Sequence, residues 1–352
     1  MMRPFRFCVM GPGNIADRFV RSVRMLDEGA GGFDPVLPGG FPARQDGGVT
    51  VAAVASKSAQ KASAFAASHG IAASYGSYEE MLVKERPDAV YISTVPASHA
   101  ELAAMCLDHG VPVLCEKAMF TCGRDAEEIL GRSERENVFV MEALWSRFLP
   151  ANRTAKRWLD EGRIGRLISL EAAIGFAAPS DPESRYRSKS LGGGATTDIL
   201  VYAYALADMM LPSRPEVRHV HAVFGETGVD VTDRVLLTAG GVTASLFASF
   251  DAPLEERLEL IGTKGRIKLA HPHYADCAVL YGPDGREADR FGDAHESAGF
   301  VYEIAETIRC VRAGLTESPV VPHDLTRRCA ALFDQVYAGR HPPAAPPLLL
   351  AD

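Results

Sequence analysis

The chain has 352 residues, long for one typical domain and sufficient for two, because domains usually contain about 100–200 residues. Apolar residues make up 47% of the chain and charged residues 23%, the balance of an ordinary globular protein that buries a core. The net charge of −8 argues against a nucleic-acid partner, and the lack of an uninterrupted apolar run of about 18 residues argues against a membrane partner.

Short apolar runs alternate with helical segments in the first part of the chain. The predicted strands are 5–10, 49–55, 89–95, 112–115 and 138–142, and the predicted helices are 15–26, 59–68, 98–109 and 125–136. This alternation predicts a doubly wound α/β domain of the Rossmann type over residues 1–143, with a parallel sheet covered on both faces. The Gly- and Pro-rich segment 27–48 is predicted to be an inserted surface loop, because connections in such units usually have about 2–6 residues.

The pattern changes after about residue 145. The predicted strands are now 167–176, 217–224, 235–238, 242–250, 258–261, 266–269 and 278–281, with helices at 196–211, 300–313 and 325–337. Glycine-rich turns separate several of these strands, which favours an antiparallel meander. We therefore expect residues 144–352 to form a second, α+β domain with a large, mostly antiparallel sheet.

The cysteine and histidine patterns give no metal site. The seven cysteines are odd in number and scattered, and no secretory segment precedes the first strand, so we expect reduced thiols and a cytoplasmic location. His219 and His221 alternate along the chain, as do His271 and His273. With no carboxylate predicted nearby, we expect these four to be surface residues.

A glycine turn directly follows the first predicted strand and opens the first predicted helix. Its sequence is Gly11-Pro12-Gly13-Asn14-Ile15-Ala16. One glycine makes a tight turn, the next lets the backbone approach a pyrophosphate, and Ala16 lets the helix pack on the sheet. The N–H groups at the helix start, around Asn14 and Ile15, then face the phosphates. An ordinary strand-to-helix turn is the alternative, but the order of strand, turn and helix favours a dinucleotide site.

The end of the second strand bears on the choice of cofactor. An NAD enzyme usually has an acidic residue there for the ribose hydroxyls, and this chain has Ser56 and Lys57. A hydroxyl and a cation suit the 2′-phosphate of NADP. We therefore predict NADP in preference to NAD, with a merely solvated Lys57 as the alternative.

Three further segments follow predicted parallel strands, where ligands bind in such sheets. They are 93–99, 115–118 and 141–148. A Thr-x-Pro-x-x-His segment, a Glu-Lys pair and a later Gly-Gly-Gly…Asp run, in this order after the glycine turn, are similar to the Gfo/Idh/MocA oxidoreductases over about residues 5–315. Within that family, segments 142–148 and 192–202 look most like the dimeric dihydrodiol dehydrogenases and related sugar dehydrogenases, which oxidise trans-dihydrodiols or pyranose sugars with NADP.

The resemblance implies roles for particular residues. Lys117 would be the catalytic lysine, Tyr202 the proton-transfer residue, and Asp198 the family's acidic residue on the same helix face. Trp145 and Phe176 would line the substrate pocket together with Tyr202. The residues of the strand-end segments expected to contact the cofactor are Thr94, Pro96, His99, Glu116, Lys117, Trp145 and Arg147.

Two positions depart from the family pattern. Ala118 replaces the proline of the usual Glu-Lys-Pro, and Leu200 replaces the usual glycine after the helix aspartate. Neither departure removes a catalytic group, but both weaken the assignment of a particular substrate.

The expected chemistry also follows from the residue types. A phenol with a pKa near 10 is a poor base at neutral pH, and a nearby ammonium lowers that pKa. We therefore expect Lys117 to lower the pKa of Tyr202 and to hold the substrate oxygen, while Asp198 orients the proton. Taken singly, Tyr202 would more often be a core residue and Lys117 a solvated one. The 185–189 run is predicted to be a solvated loop, with a place at the pocket mouth as the alternative.

The leading function is NADP-dependent dehydrogenation or reduction at a secondary alcohol or ketone of a small molecule. One alternative is an NAD-dependent glycosidase on the same scaffold, and another is a non-catalytic regulator that senses NADP. The fold alone does not name the substrate. The resemblance further implies a homodimer or homotetramer formed through the C-terminal sheet.

Overall fold

The computed structural model describes residues 3–28, 47–292 and 299–338. Most of the predicted loop at 27–48 lies outside the described residues, as does the Pro-rich end of the chain. Within the described ranges, none of the helices combines the length and the apolar character that a bilayer-spanning helix needs.

The first sheet of the described chain has six parallel strands. They are β1 (Phe5–Met10), β2 (Val49–Ala55), β3 (Ala73–Tyr75), β4 (Ala89–Ile92), β5 (Val113–Glu116) and β6 (Val140–Ala143). Their order across the sheet is β3-β2-β1-β4-β5-β6, so the direction of winding reverses between β1 and β4. In open α/β sheets the ligand crevice lies at this reversal, outside the carboxyl ends of the strands. The predicted Rossmann fold is confirmed.

Helices connect these strands. They are α1 (Asn14–Glu28), α2 (Ala59–His69), α3 (Tyr78–Glu85), α4 (His99–Asp108) and α5 (Gly123–Glu136). The pattern analysis missed β3 and α3, because three residues and eight residues are too few for a clear period. A capping signal was present nonetheless: Ser77 begins α3, and its Oγ accepts a hydrogen bond from the N–H of Glu80 at 3.3 Å.

The second sheet has eight strands within the described residues. They are β7 (Leu167–Gly175), β8 (Glu216–Phe224), β9 (Asp230–Ala239), β10 (Val242–Ser249), β11 (Arg257–Gly262), β12 (Gly265–Ala270), β13 (Cys277–Tyr281) and β14 (Glu287–Gly292). Their order is β14-β13-β12-β11-β7-β10-β9-β8. The sheet is mostly antiparallel, as predicted, but it is not a simple meander. The first of its strands, β7, lies in the middle, parallel to β10 and antiparallel to β11.

The helices of the second part pack on this sheet and return to the first domain. They are α6 (Pro150–Asp160), α7 (Val201–Met210), α8 (Phe300–Arg312) and α9 (His323–Ala338). Helices α6 and α7 contact the second sheet, whereas α8 contacts α1 and α9 contacts α5. Thr326 of α9 donates to Glu142 at the end of β6 at 2.9 Å. The domain boundary at 143/144 stays a prediction.

Candidate active site

The glycine turn after β1 passes very close to the end of β4. Gly11 has a φ of +100°, and a Cβ there would lie 2.8 Å from Cγ2 of Thr94 and 3.1 Å from the backbone of Ser93. The Ser93 hydroxyl donates to the carbonyl of Gly11 at 2.9 Å. Only glycine fits this backbone without displacing the neighbouring strand.

The other side of the turn is open. A Cβ on Gly13 would meet no atom within 4 Å, and Gly13 and Asn14 are both exposed. Helix α1 begins at Asn14, so its first N–H groups, including that of Ile15, have no partner within the helix. An open glycine next to unpaired N–H groups at a positive helix end fits the pyrophosphate of a dinucleotide.

The predicted residues for the cofactor ribose lie at the start of α2. Ser56 is buried, and its Oγ accepts a hydrogen bond from the N–H of Ser58 at 3.2 Å. Ser58 caps α2 by accepting from the N–H of Lys61 at 3.3 Å. Lys57 is exposed between them. The positive end of α2 and the Lys57 ammonium thus flank the same surface, which suits a phosphate group.

His99 does not lie where a cofactor would contact it. Its side chain is fully buried, with Nδ1 at 2.9 Å from the carbonyl of Ala118 and Nε2 at 3.1 Å from the carbonyl of Thr94. Burial lowers the pKa of His99 to about 4. The prediction of direct cofactor contact is wrong for this side chain, because protein carbonyls face both ring nitrogens. His99 instead joins the turn after β4, which includes the half-buried Thr94 and Pro96, to the turn after β5.

Lys117 and Asp198 form an ion pair between the two domains. The Nζ of Lys117 lies 2.7 Å from Oδ1 of Asp198 and 2.5 Å from its backbone carbonyl. Arg185 lies on the other side of the carboxylate, with Nη1 at 3.2 Å from the same Oδ1. Burial alone would raise the pKa of the Asp198 carboxyl, but the charges of Lys117 and Arg185 outweigh it and hold that pKa below its usual value. The site therefore contains a carboxylate held between two cations.

Tyr202 belongs to the same cluster. Residues Thr196–Leu200 form a π-helical turn that leads into α7, so Asp198 and Tyr202 are both presented to Lys117. The Lys117 ammonium lies 4.9 Å from the centre of the Tyr202 ring. The Tyr202 hydroxyl accepts a hydrogen bond from Nε1 of Trp145 at 3.0 Å. Trp145 is in turn stacked on Phe300, with ring centres 5.2 Å apart.

The expected effect of Lys117 on the pKa of Tyr202 is wrong. Burial raises the pKa of Tyr202 well above its usual value, and the negative charge of Glu116 raises it further. The Lys117 ammonium lies over the ring and bonds to Asp198, and burial together with the neighbouring carboxylates dominates the pKa of the hydroxyl. Tyr202 is therefore a neutral phenol at neutral pH, suited to donating a proton.

Glu116 lies beneath this cluster. Its side chain is buried and accepts a hydrogen bond from the hydroxyl of Tyr91, and burial raises its pKa. The predicted cofactor contact by Glu116 stays a prediction, and the Tyr91 hydrogen bond turns one oxygen of its carboxyl group toward the first domain.

Arg147 is held in place by other residues of the protein. Its guanidinium is buried and donates to the carbonyls of Ala205 at 2.6 Å and Val320 at 2.9 Å, and it lies 3.2 Å from Asp208. These acceptors all belong to the second part of the chain. Arg147 ties the segment after β6 to α7, and its Nε and Nη1 donors face protein acceptors, so these contacts give no support to the predicted cofactor contact.

Phe176 lies in an aromatic cluster that includes Tyr186 of the 185–189 run. Its ring centre is 5.5 Å from that of Tyr186 and 5.4 Å from that of Phe250. The Arg185 guanidinium lies 4.2 Å from the centre of the Tyr186 ring, and it also forms the ion pair with Asp198. The alternative that the 185–189 run flanks the pocket is therefore supported for Arg185. In the sequence, the place of the 185–189 run just before the triple glycine was the one sign that it could lie at the pocket mouth.

His273 is also a member of the site, and the sequence analysis did not predict this. It was predicted to be a surface residue, yet its side chain is only 19% exposed and its ring centre lies 5.5 Å from that of Tyr202. The pattern of alternating histidines gave no sign of this, because the burial of His273 depends on the packing of the turn Pro272–Tyr274 against α7, which comes from a distant segment of the chain. His219 and His221 are exposed on β8, as predicted.

Comparisons with known proteins support an oxidoreductase with two domains. Residues 5–144 match a family model described as "Oxidoreductase family, NAD-binding Rossmann fold", and residues 152–268 match one described as "GFO/IDH/MocA C-terminal domain". The chain is similar to human trans-1,2-dihydrobenzene-1,2-diol dehydrogenase, with 31% identity over 293 residues, 81% of this chain and 87% of that protein. The Xenopus tropicalis dehydrogenase of the same name is 30% identical over 292 residues, 81% of this chain and 88% of that protein.

Solved structures show the same architecture. A 3-ketoreductase from Actinomadura kijaniata, in complex with NADP and TDP-benzene, matches with a TM-score of 0.79 and 26% identity, covering 96% of this chain and 98% of that one. An aldose-aldose oxidoreductase from Caulobacter crescentus matches with a TM-score of 0.81 at 19% identity, covering 96% and 97% of the two chains. The second match concerns the fold alone.

Proposed function

Because the chain belongs to the Gfo/Idh/MocA family of oxidoreductases, we propose that it transfers a hydride between NADP and a secondary alcohol or ketone of a sugar, polyol or trans-dihydrodiol. The observation that supports this most strongly is the meeting of Lys117, Asp198 and Tyr202 between the two domains. Binding a dinucleotide does not require such a set of proton-transfer groups. A non-catalytic sensor is therefore disfavoured.

The cofactor would be held by the glycine turn and the start of α2. The open backbone around Gly13 and Asn14 suits the pyrophosphate, and Ser56 with Lys57 suits the 2′-phosphate. When bound, NADP supplies the chemistry of accepting or donating a hydride.

In the reducing direction, Tyr202 donates its phenolic proton to the carbonyl oxygen of the substrate. The Trp145 indole holds the phenol oxygen at 3.0 Å and so keeps the side chain in one orientation. The Lys117 ammonium stabilises the negative charge that develops on the substrate oxygen, and Asp198 keeps that ammonium in place. In the oxidising direction Tyr202 must first release its own proton to solvent, and the resulting phenolate then takes the proton of the substrate hydroxyl. This description replaces the predicted phenolate with a neutral phenol.

The activity is tested with a panel of sugars, inositols and trans-dihydrodiols, with trans-1,2-dihydrobenzene-1,2-diol among them. Formation of NADPH from NADP is followed by absorbance. We expect turnover with at least one class of vicinal hydroxy compound. Tight NADPH binding without turnover on the whole panel would instead support the sensor. A glycoside is tested separately with NAD, and its cleavage with no net formation of reduced cofactor would support the glycosidase.

The preference for NADP rests on Lys57, since a single exposed cation next to the 2′-phosphate gives a charge-assisted hydrogen bond that NADH cannot form. We expect Lys57→Ala to weaken NADPH binding about tenfold and to leave NADH binding unchanged. Lys61→Ala is the matched control, because Lys61 is exposed one turn further along α2. Dissociation constants from nicotinamide fluorescence measure the effect. Tighter binding of NADH than of NADPH by the unaltered chain would overturn the assignment.

The proposal extends to self-association and location. The strands of the second sheet expose Ile168, Val223 and Leu236 at 44%, 44% and 42%, which supports a homodimer or homotetramer formed through that sheet. Sedimentation velocity of the unaltered chain and of Leu236→Arg tests this, and a monomer in both cases would contradict it.

The seven cysteines are all free thiols, which supports the proposed cytoplasmic location.

A further inference from the structure

His273 lies in a short turn, Pro272–Tyr274, directly after β12, and this turn is anchored firmly to the helical layer. Asn152 of α6 is fully buried. Its Nδ2 donates to the carbonyl of Pro272 at 2.9 Å and to the carbonyl of Ser146 at 2.7 Å. Ser146 follows Trp145, so one amide group fixes the position of His273 relative to the indole that holds Tyr202.

A carboxylate anchors the turn from the opposite side. Glu256 precedes β11, and its side chain is only 9% exposed. Its Oε2 accepts a hydrogen bond from Nδ1 of His271 at 3.0 Å, and its Oε1 accepts from the N–H of Gly175 at 3.2 Å. The turn is therefore held between the end of β7 and α6. The position of His273 is a fixed feature of the site.

The imidazole of His273 lies against the catalytic cluster. Its ring makes an angle of 31° with that of Tyr202 at a centre-to-centre distance of 5.5 Å, and it meets the Tyr274 ring edge-on at 4.3 Å. Burial lowers the pKa of His273 to about 3, and the nearby charge of Lys117 acts in the same direction. The imidazole is therefore neutral at neutral pH, with one N–H and one lone pair.

The surroundings of the two ring nitrogens differ. Nδ1 is sealed from solvent, has no hydrogen-bond partner in the described chain, and lies 3.7 Å from Oε2 of Glu256. The negative carboxylate favours the tautomer with the proton on Nδ1. Nε2 likewise has no hydrogen bond to any described residue, but it is not among the sealed polar atoms, so it remains accessible. Its lone pair is available to a donor entering the site.

We propose that Nε2 of His273 accepts a hydrogen bond from a substrate hydroxyl on the carbon next to the reacting one. This inference rests on the proposed oxidoreductase function and deepens it. A neutral acceptor beside Tyr202 can bind a vicinal hydroxy group and loses its partner when that group is missing. His273 then makes the enzyme specific for vicinal hydroxy compounds over simple alcohols, because a desolvated acceptor without a donor costs binding energy.

The test compares His273→Phe with His273→Gln on pairs of substrates that differ by one hydroxyl. The pairs are D-glucose with 2-deoxy-D-glucose, and trans-1,2-cyclohexanediol with cyclohexanol, together with the best substrate of the panel and its deoxy analogue. Phenylalanine keeps the ring and removes both nitrogens, whereas glutamine can place an acceptor near the position of Nε2. We expect His273→Phe to raise KM for the hydroxylated member about tenfold with kcat little changed. KM for the deoxy member should not rise, and His273→Gln should recover part of the discrimination.

Two controls separate this role from a structural one. His221→Phe changes an exposed histidine on β8 and should leave every constant unchanged. NADPH binding should be the same in all the variants. An equal loss on both members of each pair, or an unchanged KM on all of them, would overturn the role of His273 while leaving the proposed function intact. Failure of the unaltered chain to oxidise any compound of the panel would remove the proposed function itself, and this inference with it.

Discussion

Replacing Lys117 by methionine should lower kcat about 10³-fold in both directions while leaving the dissociation constant of NADPH within about threefold of its original value. The Lys117 ammonium is 13% exposed and bonds to Asp198 at 2.7 Å, so its charge acts in a weakly screened site where the substrate oxygen becomes negative. Methionine keeps most of the apolar length of the side chain and removes the ammonium with its hydrogen bonds to Asp198. Steady-state kinetics and nicotinamide fluorescence measure the two quantities separately.

The stability of this variant has to be measured alongside its activity. Removing Lys117 leaves the Asp198 carboxylate with Arg185 as its neighbouring cation, and breaking a largely buried ion pair destabilises a protein. The double variant Lys117→Met/Asp198→Asn removes both charges, so it should regain stability in urea without regaining turnover. Lys84→Met is the surface control, because Lys84 is 59% exposed in its pair with Glu80. Near-normal turnover in Lys117→Met would refute the catalytic role.

Replacing Tyr202 by phenylalanine should lower kcat about 10²-fold to 10³-fold, because the variant loses the proton donor. It should also lower the free energy of unfolding by about 1–3 kcal/mol, since Nε1 of Trp145 loses its acceptor in a buried position. Tyr204→Phe is the matched control on the same helix. Tyr204 is buried, but its charged neighbours are Arg328 and Asp208 and not Lys117, so the loss of its hydroxyl should leave turnover intact.

The pH dependence distinguishes the neutral phenol from the phenolate. A raised pKa means that Tyr202 keeps its proton as the pH rises through the neutral and mildly alkaline range. As far as Tyr202 is concerned, ketone reduction should therefore stay constant from about pH 7 to about pH 10 and fall only above that. A decline in reduction that begins near neutrality and disappears in Tyr202→Phe would show a lowered pKa and contradict this account.

Local sequence patterns were sufficient to predict the first strand, the glycine turn and the start of the first helix. The run of β1, the turn at Gly11 and the start of α1 follow one another within a few residues, and each has its own chemical signature. The predicted bounds of β1 and β2 agree with the structure. The short elements β3 and α3 were missed, because their lengths are below what periodicity can distinguish from a loop.

The pairing of the second sheet could not be obtained in this way. Turn residues indicate which neighbouring strands form hairpins, and those hairpins are present between β9 and β10 and between β11 and β12. The place of β7 between β10 and β11 depends on pairing between residues 74 to 95 positions apart in the chain. No local signal encodes such a choice, so an antiparallel meander was the simplest expectation and was wrong for β7.

For the candidate site, too, the sequence predicted some features and the packing of distant segments decided the others. The family resemblance, carried by residue types in their order along the chain, singled out Lys117, Asp198 and Tyr202 and implied their roles before any distance was known. Packing settled which way each side chain points: Arg147 and His99 turn inward to protein carbonyls, and His273 turns toward the cluster. The same burial raised the pKa of Tyr202 where the sequence suggested a lowering. A residue's type is a property of its own position in the chain, but its orientation and pKa are properties of neighbours brought together from distant segments.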